Sequence, residues 1–177
     1  MKIRSRVQQS GFTLIEIVVT LAIIAVVFSI AANGFNRMNS GSNMTMQLES
    51  ITSDIRSVAT SALNSQTFQT ESTVGWGIYF DGPNKEYTIF ADLNNNKTYE
   101  NNEKYKVVRM NPVLAMYLSW GHTGHPTGEL YFDNVTVTPY ALGTQITTED
   151  FGVVLTDGIT SVVKTVSVNS LGLVSHD

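Results

Sequence analysis

Twelve consecutive residues, Asp92-Leu93-Asn94-Asn95-Asn96-Lys97-Thr98-Tyr99-Glu100-Asn101-Asn102-Glu103, carry oxygen side chains at a spacing that could hold a metal ion. Asp92, Asn94, Asn96, Glu100 and Glu103 fall at the offsets that give side-chain oxygens to Ca2+, and Thr98 falls where a backbone carbonyl is used. Lys97 stands at the sharp turn, where glycine is usual, and brings a positive charge beside the ion. The same string also reads as an asparagine-rich turn between two strands, because Asn and Asp bond their own backbone. Nothing else in the sequence requires a cofactor. His122-Thr123-Gly124-His125 could offer two imidazoles, yet no third ligand lies near in sequence, and Gly121, Gly124 and Pro126 mark a loop. Cysteine is absent, and no glycine-rich phosphate loop, nucleophile elbow or paired-carboxylate site stands out, so an enzyme is not expected.

Glu16 draws attention through its surroundings, being the single formally charged side chain between Phe12 and Ala32. A charge in hydrocarbon costs about 2.5 to 3.5 kcal/mol even on the most lenient insertion scale, so this carboxylate needs a partner. Residues 1–11 are polar and basic. The run after them is long enough to cross a bilayer core about 30 Å thick at about 1.5 Å per residue. Lys2, Arg4 and Arg6 would stay on the cytoplasmic side and everything after Ala32 would emerge beyond the membrane. Ser29-Ile30-Ala31 offers the small-x-small cleavage site of a secretory signal peptide, and an uncleaved signal anchor fits the run as well. Neither gives Glu16 a partner.

The segment Gly11-Phe12-Thr13-Leu14-Ile15-Glu16, continued by Ile17 to Ala25, closely resembles the N-terminus of type IV prepilins and type II secretion pseudopilins. The resemblance implies cleavage by a prepilin peptidase after Gly11 and a mature chain beginning at an N-methylated Phe12. It also implies an assembly role for Glu16, paired with the amine of a neighbouring subunit inside an apolar core. Opposite charges buried together are tolerable where a lone charge is not. The implied partners are the prepilin peptidase, other pilin or pseudopilin subunits, the membrane and an inner-membrane assembly platform. The implied location is the inner membrane, crossed once, with the C-terminal domain outside the cytoplasm and built into a periplasmic or surface filament.

The elements that must position these residues follow in chain order. No proline occurs between Phe12 and Asn64, and Met44, Leu48, Ile51, Ile55, Val58 and Ala62 recur at alternating steps of four and three, the buried face of an amphipathic helix. Asn39-Ser40-Gly41-Ser42-Asn43 are poor helix formers that could bend the rod or divide it into two helices. After Gln66 the composition turns to β-branched, aromatic and turn residues. Gly75 to Asp81 and Glu86 to Asp92, joined by Gly82-Pro83-Asn84, read as a hairpin. Further strands are expected at 105–109, 113–119, 129–138, 152–155, 160–168 and 171–174. A long N-terminal helix packed on a C-terminal antiparallel β domain is an α+β order. The organisation expected is a leader at 1–11, a transmembrane or filament-core helix at 12–32, its amphipathic continuation at 33–66 and a globular β domain at 67–177.

The hairpin and its acidic, Asn-rich end, from Trp76 to Glu103, resemble the minor H-type pseudopilins of type II secretion and related minor type IV pilins, as does the closing stretch Val166 to Val174. That resemblance implies a minor structural subunit with a pilin-like fold. The alternative class is a monomeric binding protein, anchored by a signal anchor or released by a signal peptidase. Lys2, Arg4 and Arg6 are 3 of the 11 basic side chains, leaving 8 against 15 acidic ones from residue 12 onward. That acidic balance of −7 argues against a nucleic-acid partner, since such binding rests mostly on Lys and Arg.

Overall fold

The computed structural model describes residues 12–136, 138–147, 150–158 and 162–176 and, of residues 32–40, the backbone alone. Helical backbone runs as α1, Leu14–Leu63. The chain forms two units, Met1–Asn39 and Ser40–Asp177. In the first, Leu14–Ala31 is long and apolar enough to cross a membrane, with a mean hydropathy of 2.8 and none of it buried within the chain. Residues 39–43 remain helical despite their low propensity, and the Thr45 hydroxyl donates back to the Gly41 carbonyl at 3.0 Å.

In the second unit, Met44, Leu48, Ile51, Ile55, Val58 and Ala62 are all buried, the stripe that the four-and-three spacing requires. They share one core with two antiparallel sheets. The first sheet contains β1 (Gly75–Asp81), β2 (Glu86–Asp92), β3 (Lys104–Arg109), β6 (Thr127–Asp133), β7 (Pro139–Ala141) and β8 (Thr144–Gln145), in the order β3-β2-β1-β6-β7-β8. The second contains β4 (Leu114–Trp120), β5 (Thr123–His125), β9 (Phe151–Asp157), β10 (Val163–Val168) and β11 (Val174–His176), in the order β11-β10-β9-β4-β5. Trp76, Ile78 and Phe80 from β1 meet the α1 stripe and Phe151, Val153 and Leu155 from β9 in that core. Burying each such side chain stabilises the fold by roughly 1.5 to 3 kcal/mol.

Because strand side chains alternate, Gly75, Gly77 and Tyr79 face the other side of the first sheet. The β1 register with β2 and β6 lays out three rows there. Asp92, Gly75 and Asp133 form one; Phe90, Gly77 and Tyr131 the next; Thr88, Tyr79 and Glu129 the third. Tyr140 of β7 extends the middle row beside Tyr131. A Cβ at Gly77 would come within 2.5 Å of the Phe90 ring, and one at Gly75 within 2.0 Å of the Tyr131 hydroxyl. Two glycines therefore make room for two large rings on a face that would otherwise be open.

Some segments are placed differently from expectation. The strand expected at 129–138 stops at Asp133, the end of β6, because the Asp133 carboxylate accepts the amides of Val135 at 2.7 Å and Thr136 at 3.1 Å and closes a turn ahead of β7. The strand expected at 171–174 begins only at Val174, since Asn169 Oδ1 accepts the amides of Leu171 and Leu173 at 2.9 and 3.0 Å. Thr123 to His125, expected as loop, is strand β5, reached through a tight turn in which Gly121 and His122 both take positive φ. Residues 160 and 161 of the strand expected at 160–168 lie outside the described residues, and β10 covers the remainder from Val163.

Candidate functional site

At the N-terminus, Gly11 lies outside the described residues. Phe12 is exposed, as is every side chain from there through Ala31. Thr13 precedes the first helical residue, and Glu16 stands in the first turn. The Glu16 amide donates to Thr13 Oγ1 at 3.3 Å, and the Thr13 amide reaches Glu16 Oε2 at 3.5 Å. This reciprocal pair is a capping box, in which two side chains satisfy two amides that the helix end leaves without partners. Its signature, Thr-x-x-Glu ahead of an apolar run, stands in the sequence at 13–16 and gives Glu16 a partner in its own helix start. A carboxylate in the first turn also faces the positive end of the helix dipole.

The 92–103 loop folds back over the glycine face of the first sheet. Asp92, fully buried at the end of β2, accepts the amides of Asn94 at 3.1 Å and Asn95 at 2.7 Å on Oδ1, and that of Lys97 at 3.1 Å on Oδ2. Asn94 Oδ1 accepts from the Asn96 amide at 3.0 Å, and Asn96 Oδ1 from the Thr98 amide at 2.9 Å. Glu100 Oε1 receives the side-chain amides of Asn94 at 3.3 Å and Asn96 at 2.7 Å. Asn95 and Lys97 take φ of +63° and +59°. Lys97 thus adopts the left-handed conformation that glycine would take at this position without cost.

The chain then lays Tyr99 on Tyr79, with stacked rings 5.2 Å apart, and beside Phe90 at 5.8 Å. The Tyr99 amide donates to Glu129 Oε1 at 3.2 Å. Lys97 sets its ammonium 3.9 Å from the centre of the Tyr140 ring, which turns that charge onto an aromatic face. A single 3₁₀ turn, Asn101–Glu103, brings the Glu103 carboxylate back to the start of the loop, where Oε1 accepts the Leu93 amide at 2.9 Å. Glu103 is fully buried, and its Oε2 has no hydrogen-bond partner. Burial, assisted by Asp92 and Glu100, raises its carboxyl above the ordinary value, while the Leu93 amide acts in the opposite direction. Burial likewise raises Glu129. All six residues expected around an ion therefore lie on one folded loop, but among the described residues no three His, Asp or Glu side chains gather as a metal-holding group. His125 bonds the Thr123 hydroxyl at 2.7 Å.

An exposed apolar helix with a capped, glutamate-bearing start thus precedes a two-sheet globular unit. Residues 6–32 match the prokaryotic N-terminal methylation motif. The fold is similar to that of the minor pseudopilin EpsH from the type 2 secretion system of Vibrio cholerae, with a TM-score of 0.52 and 9% identity over 76% of this chain and 96% of that one. No curated protein sequence matches the chain.

Proposed function

We propose that this chain is a minor subunit of a type II secretion or type IV pilus-type filament, cut by prepilin peptidase after Gly11 and methylated on Phe12. The observation that carries the reading is the coincidence of the methylation motif at 6–32 with the apolar helix that Glu16 caps. The similarity in fold to a minor pseudopilin supports the rest. The basic leader would remain on the cytoplasmic side and the globular unit would stand outside, with the first helix in the inner membrane until a platform transfers it to the filament.

In this reading Glu16 does two things in succession. Oε2 serves the chain's own helix start, and Oε1 is left to accept the ammonium of a neighbour's Phe12. Cutting at Gly11 creates that cation, and assembly buries it against an anion already oriented by its helix. The test is the intact mass and N-terminal peptide of the protein from its native host. A chain beginning at methylated Phe12 is the expected result. One beginning at Ala32, after Ser29-Ile30-Ala31, would make the protein a secreted binding protein and overturn the reading, as would an uncut chain.

A further inference from the structure

The 92–103 loop leaves a buried charge without a counterpart. Glu103 is fully buried, and its Oε2 has no hydrogen-bond partner. A buried, unpaired carboxylate oxygen costs several kcal/mol in general and persists where something compensates it. The carboxylate crosses to the first residues of the loop through the Leu93 amide, which brings it to the same end as the buried Asp92. The one cation within the loop, Lys97, is over Tyr140, and the Lys106–Asp54 ion pair is elsewhere.

We infer that residues 92–103 bind a calcium-type divalent cation, with Asp92 and Glu103 giving carboxylate oxygens, Asn94 and Asn96 amide oxygens, Thr98 its carbonyl and Glu100 the exposed side. The carboxylates alone do not make a metal centre, and the neutral oxygens between them complete the shell. Mixed hard-oxygen coordination of this kind suits calcium, whose six to eight ligands tolerate irregular geometry, better than magnesium. Asp92 Oδ1 already accepts two amides, whereas Oδ2 accepts one, so Oδ2 is the oxygen through which Asp92 can hold the turn and the ion together. The Lys97 backbone already has the left-handed φ that the sixth position demands, and the aromatic seat of its ammonium removes the objection its charge raises. The ion would fasten the loop, and with it Tyr99, over the glycine face. This inference stands apart from the filament reading, since it concerns the globular unit alone.

The test uses the full chain in detergent micelles. Terbium luminescence excited through tyrosine, with calcium as competitor, reports binding directly. Thermal melts in calcium, magnesium and chelator report its linkage to folding. Calcium at a hundred times its dissociation constant is expected to raise the melting temperature by about 5 to 10 °C over chelator, with a smaller shift in magnesium. Glu103→Gln, which keeps the shape and removes the buried charge, should abolish the calcium shift, and Lys97→Gly should enlarge it. Asn96→Ala, at an exposed side chain, should lose most of the shift even if Glu103→Gln folds poorly. Equal melting in calcium and chelator for the wild type and Lys97→Gly, without terbium emission, would overturn the inference. So would a calcium shift that survives both Glu103→Gln and Asn96→Ala.

Discussion

The Tyr87 hydroxyl on β2 donates to Asp54 Oδ2 on α1 at 2.8 Å, a polar tie between helix and sheet set beside the apolar stripe. Lys106 on β3 approaches the other oxygen of the same carboxylate at 3.5 Å. Burial, and secondarily Asp54, holds the tyrosine far above its ordinary range, so it stays a donor at any working pH. Tyr87→Phe removes a hydrogen bond to a charged group and leaves Asp54 to the weaker pair. A loss of about 1.5 to 3 kcal/mol is expected, or about 3 to 10 °C in melting temperature. A melting temperature within a degree of wild type would mean that water replaces the hydroxyl without cost.

Glu16 can be separated into cap and charge. Glutamine at the third helical position still completes a capping box, whereas alanine does not. If the neighbour's ammonium is what Glu16 serves, Glu16→Gln and Glu16→Ala should both process normally and both crosslink poorly to other subunits. Wild-type crosslinking by the glutamine variant alone would reduce the role of Glu16 to that of a cap.

Gly75 has no room for a methyl group. Its Cβ would meet the Phe132 carbonyl at 2.6 Å as well as the Tyr131 hydroxyl, and the first of these is backbone in the neighbouring strand. Gly75→Ala should therefore cost about 1 to 3 kcal/mol. Adding Tyr131→Phe should restore only part of it, because the carbonyl contact remains. Denaturant unfolding of the single and double variants measures both, and full rescue by the second change would locate the whole strain at the hydroxyl.

The raised Glu129 carboxyl predicts a slope of stability with pH. The folded state holds this proton more tightly than the unfolded one, so stability is full below the ordinary value of 4.5 and falls as pH rises through the raised folded value. Glu129→Gln should flatten that part of the profile while preserving a side chain that can accept the Tyr99 amide. An unchanged slope between wild type and variant in melts across this range would assign the dependence to other groups.

The sequence discloses its helix face and first hairpin because each rests on local periodicity. The stripe from Met44 to Ala62 and the limits of β1 and β2 needed nothing from the remote chain. The short strands β5 and β8 were illegible for the opposite reason, being only three and two residues long and held by partners across the sheet. The turns at Asp133 and Asn169 override strand-forming valines and leucines through one side-chain oxygen each. The loop's ligand spacing was visible as a string, whereas the orphaned Glu103 oxygen and the seat of Lys97 on Tyr140 depend on residues far away in sequence.

The stripe on α1 also dictates where the chain can be cut. A version begun after Leu63 would keep every strand yet lose Met44, Leu48, Ile51, Ile55, Val58 and Ala62 from the core, together with the Asp54 anchor. Its two sheets would surround an apolar trough as wide as a helix, a surface that invites aggregation in a dilute extract. A version that omits the apolar run therefore has to begin ahead of Met44, and the stretch from there to Leu63 belongs to the globular unit as fully as any strand.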